Sequence, residues 1–299
     1  MSGRTARRRV LRVQVADRPG RASERSDLLA AEEPLGIRVD GQALTMTMRT
    51  PGDDLDLAAG FLVSEGIVRS SGDISSMKLC DGTTCGHLGH EGMGNIVDVE
   101  LRPGLTVTPA ARRNFMTTSA CGVCGKASSA ELFVATSWDI NEDHVRIAAG
   151  WLTSAPQTLR DAQRVFASTG GLHAAGVFGP AGELLAVRED VGRHNAVDKV
   201  VGWALRQDSL PLRGCVLLVS GRASFELVQK AVLAGIPVLA AVSAPSSLAA
   251  DLAAEAGLTL VGFLRGSSMN VYTRADRVLV DGQPGLTPAG RRSADRGGS

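Results

Sequence analysis

Aromatic side chains are scarce in this chain. Phe, Trp and Tyr together make up 4% of 299 residues, with a single tyrosine, Tyr272. A surface that stacks successive unpaired bases needs such rings, so this scarcity argues against a single-strand nucleic-acid binder. Net charge is nearly absent too, at +1. No stretch reaches the roughly 18 continuous apolar residues that a membrane helix needs. Arg7, Arg8 and Arg9 make the N-terminus basic, but no apolar h-region follows over residues 10 to 30. The expectation is a cytoplasmic protein that binds neither membrane nor nucleic acid.

The small net charge hides a polarised distribution. Residues 1 to 25 hold eight arginines against Asp17 and Glu24, and the last eleven residues are also basic, which leaves residues 26 to 288 at about −7. An acidic body has no basic face with which to coat a polyanion. Any anionic ligand must therefore be held at a local site. Hydrophobic residues, at 44%, are sufficient for a sizeable core, and the length suits roughly two domains.

Turn and periodicity signals divide the chain. Residues 1–26 are expected to be a disordered Arg-rich arm and 284–299 a disordered tail. Residues 27–110 suggest a small α+β domain. In it, Leu35 to Val39 and Gln42 to Met48 are joined by Asp40-Gly41, a type I′ hairpin pair. A helix is expected to start at Thr50 as N-cap with Pro51 next and run to about Gly66. Residues 70 to 95 are Gly-rich and irregular, and Ile96 to Leu101 alternates like a strand. Residues 111–283 suggest a three-layer α/β domain. A helix is expected over Lys126 to Ala135, another over Pro156 to Phe166, and a hairpin over Leu172 to Phe178 and Leu184 to Arg188. From Asn195 onward, apolar strands at 215–220, 237–242 and 259–264 alternate with helices, the pattern of parallel βαβ units.

Five cysteines carry the first chemical signal: Cys80, Cys85, Cys121, Cys124 and Cys215. In a reducing compartment an odd number with one C-x-x-C pair points to redox, metal or sulfur chemistry ahead of structural disulfides. Cys121-Gly122-Val123-Cys124-Gly125-Lys126 leads into helix-favouring residues. A thiol at a helix start near a lysine is ionised more easily, and a thiolate can accept sulfane sulfur from a persulfide. The same spacing also fits half of a zinc site, with Cys80 and Cys85 as the other half, or a local site of Cys80, Cys85, His87 and His90. A zinc deaminase needs H-x-E and a proline before C-x-x-C. Here Ala120 precedes Cys121, and none of the five histidines has Glu two residues later. Cys215 opens an apolar strand and reads as core.

Polar turns after the strands carry the second signal: Ser220-Gly221-Arg222, Ser243 to Ser247, and Arg265-Gly266-Ser267-Ser268. Such loops gather at the carboxyl edge of an α/β sheet, where amides and arginines favour anions, although ordinary capped turns look the same. A third cluster runs from Arg188 to Lys199. There His194 and Asp198 are spaced to share a helix face, as a proton-handling pair or as a capped, solvated helix start. His173, in Thr169-Gly170-Gly171-Leu172-His173, could line a site or sit satisfied beside a strand.

Together these blocks resemble the formate dehydrogenase accessory sulfurtransferase family, FdhD. The matching segments are 32–41, 48–67, 117–128, 169–178, 188–202, 219–249 and 262–273. The resemblance implies a cytidine-deaminase-like α/β fold without the zinc site, and no structural metal. It implies a homodimer that takes sulfur from a cysteine desulfurase and passes it to the bis(molybdopterin guanine dinucleotide) cofactor, molybdenum or tungsten, of the formate dehydrogenase catalytic subunit. By resemblance, Cys121 is the persulfide position with Cys124 its motif partner, and Phe263, Leu264, Arg265, Gly266, Ser267 and Ser268 form the cofactor-binding segment. Ser220, Gly221, Arg222 and Ser243 complete the expected edge, for which a guanine nucleotide such as GDP is a mimic. A non-enzymatic zinc-stabilised chaperone and a dithiol oxidoreductase are the rival readings.

Overall fold

The computed structural model describes residues 3–15, 20–80, 95–107 and 138–280. Val10, Val13 and Val15 stand among the N-terminal arginines, and β-branched side chains favour extended backbone. Here β1 (Thr5–Gln14) pairs antiparallel with β2 (Arg21–Ala30), from Thr5 opposite Ala30 to Gln14 opposite Arg21. The expectation of a disordered arm is corrected for its described residues. A lone two-stranded ribbon is marginal in water, and this one is tied at its base. Arg4 reaches Asp53 at 2.8 Å, and the Ala31 amide donates to the Arg4 carbonyl.

The Asp40-Gly41 hairpin forms as its sequence dictates, with φ of 50° and 72° at the two turn residues. It joins β3 (Glu33–Val39) to β4 (Gln42–Arg49). β5 (Ile74–Cys80), which falls in the segment expected to be irregular, and β6 (Ile96–Leu101) complete a sheet in the order β4-β3-β6-β5. Helix α1 spans Asp54–Ser64. It does not start at Thr50: its N-cap is Asp53, held at φ 58°. Thr50 is buried instead, donating its amide to Asp190 while its hydroxyl oxygen accepts from the Val191 amide.

The second unit starts with β7 (Ile147–Ala148), α2 (Ala149–Ala162) and α3 (Arg164–Thr169). It continues with β8 (His173–Phe178), β9 (Leu184–Asp190), α4 (Arg193–Arg206), β10 (Val216–Val219) and α5 (Phe225–Leu233). The last elements are β11 (Val238–Ala241), α6 (Ser247–Glu255), β12 (Thr259–Arg265), β13 (Ser268–Val271) and β14 (Val278–Leu279), the last paired with β7. The six-stranded sheet runs β13-β12-β11-β10-β8-β9, with β10, β11 and β12 parallel. One face, including Phe178, Val216, Leu218 and Val238, packs on Leu152, Ala155 and Leu159 of α2. The other, including Val177, Leu217, Val219 and Leu239, packs on α4, α5 and α6. Helices thus cover both faces of a mixed α/β sheet, which explains strands that are apolar throughout. No helix among the described residues is long and apolar enough to cross a membrane.

The polar turn at Arg265 leads into a further strand. Gly266 sits at φ 57° and Arg265 pairs with Ser268, so the chain reverses into β13. No helix start lies there. Residues 108–137, which include the helix expected at 126–135, and the tail expected at 284–299 lie outside the described residues.

Leu35, Leu57 and Val97 share one hydrophobic cluster with Val197, Leu217 and Leu239, so this core runs across the division at residue 110. Its tightest point is the crossing of α1 and α4. A Cβ on Gly60 would lie 1.8 Å from the Asp198 carbonyl oxygen, and one on Gly202 1.8 Å from that of Asp56. Neither backbone can move aside cheaply. Gly60→Ala should therefore cost about 3 kcal/mol or more in urea unfolding. Gly150→Ala, in the first turn of α2 where a methyl meets open space, should be neutral or stabilising.

Candidate functional site

Three polar turns meet where β10, β11 and β12 end. The Ser243 amide donates to the Gly221 carbonyl at 3.3 Å, and the Phe263 amide to the Ser243 carbonyl at 3.1 Å. Ser246 N–H reaches Ala223 O at 3.0 Å. Gly221, Ser243 and Phe263 are therefore neighbours. Phe263 holds φ 52°, a left-handed conformation rare for a bulky residue, at the irregularity that separates the Gly262 and Arg265 pairings. Past it, Leu264 is fully buried, so only its backbone can serve a ligand. Arg265, Gly266, Ser267 and Ser268 form an exposed tip, with the Arg265 guanidinium 5.6 Å from the centre of the Phe263 ring. Neither Arg222 nor Arg265 has a carboxylate partner among the described residues. Both remain available to an anion. Cys121 and Cys124 lie outside the described residues.

Beside this edge sits a group of titratable side chains. His194 and Asp198, spaced to share a helix face as a proton-handling pair or as a capped, solvated helix start, are separated by their partners. His194 Nε2 lies 2.6 Å from Glu226 and 3.3 Å from the Ser224 hydroxyl, both at the start of α5. Asp198 turns inward to Lys230 at 2.7 Å and accepts from the Ser64 hydroxyl at 2.6 Å. Asp198 is 2% exposed, and its role is to hold α1, α4 and α5 together.

Burial works to raise the Glu226 pKa. The hydrogen bond from His194 and the charges of His194, Lys230 and Arg193 outweigh it and keep the carboxyl below its usual range. His173 lines a cavity, and a Cβ at Gly221 would lie 3.4 Å from its Nδ1. Burial pushes its pKa down, and the positive charges of Arg193 and His194 push it further against the weaker pull of Asp190. His173 is thus neutral at pH 7.

Residue types alone did not single out Arg193, Glu226 or Gln163. The signal for Gln163 is its position: it extends the buried stripe Leu152, Ala155, Leu159 one turn further. Among the described residues no three of His, Cys, Asp and Glu gather as a metal site. Cys85, His87 and His90 of the expected zinc sets lie outside them. Cys80, at the buried end of β5, is disulfide-bonded and not a free thiol. Cys215 is free and 5% exposed, its thiol pushed up to about 11 by burial and by Glu183 and Asp143. It is an inert core residue, as its apolar strand suggested.

The model of the FdhD/NarQ family matches residues 30–279. The chain belongs to the FdhD/NarQ family. A protein of Streptomyces coelicolor named sulfur carrier protein FdhD is 58% identical over 92% of this chain and 96% of its own length. A protein of the same name from Nocardia farcinica is 56% identical over 93% of this chain and 96% of its own. The crystal structure of a formate dehydrogenase accessory protein, so described, from Desulfotalea psychrophila superposes with a TM-score of 0.70 at 22% identity, covering 93% of this chain and all of that one. At that identity the match shows a shared fold.

The site's electrostatics make a pH prediction for this family member. A histidine whose pKa is lowered by folding contributes stability above its unfolded value near 6.5, and that stability is lost as pH falls below it. Unfolding free energy should decline from pH 7 to pH 5. His173→Gln should flatten the decline, as measured by urea titration at the two pH values.

Proposed function

We propose that the protein is a sulfur carrier, a sulfurtransferase that serves formate dehydrogenase. The observation that carries this reading is the family match across residues 30–279, with relatives above 50% identity named sulfur carrier proteins. Sulfur enters when a Cys121 thiolate attacks the outer sulfur of a cysteine desulfurase persulfide. The desulfurase leaves as a thiolate and Cys121 holds a persulfide. Attack by Cys124 on the inner sulfur then releases the outer sulfur as sulfide and closes a Cys121–Cys124 disulfide, which supplies the two electrons. The acceptor is the metal of the bis(molybdopterin guanine dinucleotide) cofactor, molybdenum or tungsten, bound as substrate before its delivery to the formate dehydrogenase catalytic subunit.

The edge of β10–β12 suits the phosphates of that substrate. Arg222 and Arg265, without a carboxylate partner among the described residues, are available as forks, and Ser220, Gly221, Ser243 and the 263–268 segment add backbone and hydroxyl groups. The same reading takes residues 111–283 as a cytidine-deaminase-like fold without zinc, supported by a mixed sheet covered by helices on both faces. It also takes the protein as a cytoplasmic homodimer, since a cofactor with two guanine ends suits two-fold symmetry.

Incubation with a desulfurase and cysteine should add one sulfur atom to the peptide containing Cys121 and Cys124, read by mass spectrometry. Cys121→Ala should abolish both this label and cofactor sulfuration, and full sulfuration by that variant would remove Cys121 from the reaction. Arg265→Gln should weaken binding of guanosine diphosphate about tenfold while persulfide formation continues. Unchanged affinity would take Arg265 out of the site.

A further inference from the structure

The cavity that His173 lines, of about 410 Å³, opens between α2, α3 and the loop into β8, sharing Ser220 with the strand edge. The side chains that matter in its wall are Arg160, Gln163, Phe166, Leu172, His173 and Ser220. None is acidic. Glu189 lies at the start of α3, but both its carboxylate oxygens are taken by the Val165 and Phe166 amides, at 2.9 and 2.7 Å. The polar side chains of the wall, Arg160, Gln163, His173 and Ser220, can each donate. Gln163 is 3% exposed, and its buried side-chain Nε2 has no hydrogen-bond partner among the described residues. A buried N–H left unmet is costly, and such groups in folded proteins call for an explanation.

Arg160 is exposed, has no carboxylate partner among the described residues, and places its guanidinium carbon 3.9 Å from the centre of the Phe166 ring. Stacking of this kind fixes a guanidinium in place and leaves its edge free to form a fork. The Ser220 oxygen already accepts from the Ala174 amide at 2.9 Å, which leaves its proton to donate. Phe166 and Leu172 supply apolar wall.

We propose that this cavity binds a small organic anion, a carboxylate or a phosphate monoester with a planar body. Arg160 and Gln163 hold the oxyanion, and Phe166 and Leu172 take the body. Cationic ligands are disfavoured, because the wall carries Arg160 and no acidic side chain among the described residues. The site stands independently of the sulfur-carrier reading and would survive its failure.

The test is calorimetric titration of the full chain with benzoate, phenyl phosphate and neutral benzamide. At least one anion should bind at one site per chain with an affinity of about 1 mM or better, and benzamide at least tenfold more weakly. A preference for benzoate assigns the carboxylate class, and a preference for phenyl phosphate the phosphate class. Arg160→Gln, on the surface, and Gln163→Met should each weaken the anion about tenfold. Arg213→Gln, an exposed arginine outside this cavity, should change nothing. Thermal melting identifies any loss of fold in the buried Gln163 variant, and Arg160→Gln decides the matter if that variant fails. The proposal is overturned if neither anion saturates, if benzamide binds equally, or if Arg160→Gln binds like the parent. It is also overturned if Arg213→Gln weakens binding as much, or if stoichiometric guanosine diphosphate displaces the probe, which would merge the cavity with the strand edge.

Discussion

The contact on which the structure depends is the glycine-to-backbone crossing of α1 and α4. With no side chain at Gly60 or Gly202, two helices approach to the limit set by their own peptide groups. That approach places acids from one segment within reach of bases from the other. Asp56 of α1 takes Arg188 at 2.8 Å and Arg206 at 2.5 Å. Asp190 and Lys199, both almost wholly buried, pair at 2.7 Å, and the Lys199 ammonium also donates to the Thr50 carbonyl. Removing one partner of a buried pair typically costs about 3–5 kcal/mol, because it strands the other charge. These links work as a set only while the helices stay close. α4 begins with Arg193 and His194 at the strand edge, so the helix crossing also fixes the site.

Several features could be read from residue patterns because local chemistry decides them. Asp40-Gly41 gave its turn through the left-handed backbone that both residues tolerate. The apolar runs at 216–219, 238–241 and 259–265 gave parallel strands because both of their faces are covered. Other features escaped because a stronger partner elsewhere took the residue. Thr50 reads as a helix cap, yet a buried Asp190 claims its amide from 140 positions away. His194 and Asp198 share a helix by spacing, but Glu226 and Lys230 on α5 draw them apart. The arginines at 7, 8, 9 and 12 masked the β-branched residues among them, so charge counting missed a ribbon. Arg265-Gly266 carries the same residues whether the chain goes on to a helix or turns back, and the pairing of Arg265 with Ser268 decides it.

At the strand edge the local charge differs from that of the acidic body around it. Acids in the described body are largely spent on internal partners: Asp54 on Arg49, Asp56 on two arginines, Asp190 on Lys199, Asp198 on Lys230. Among the described residues, the side chains at the edge without a carboxylate partner are Arg222 and Arg265, beside a histidine whose pKa is held down by burial and then by the charges of Arg193 and His194. A net charge counted over residues therefore misstates the local field, because paired acids contribute little to it.

Cys215 has a consequence at the bench. A thiol with a pKa near 11 is ionised in only about one molecule in 10⁴ at pH 7, and alkylating reagents consume the thiolate. In the native protein this residue is silent, and unfolding uncovers it. Its labelling rate is a built-in clock for opening of the sheet, against which the reactivity of the other sulfurs can be timed in the same tube.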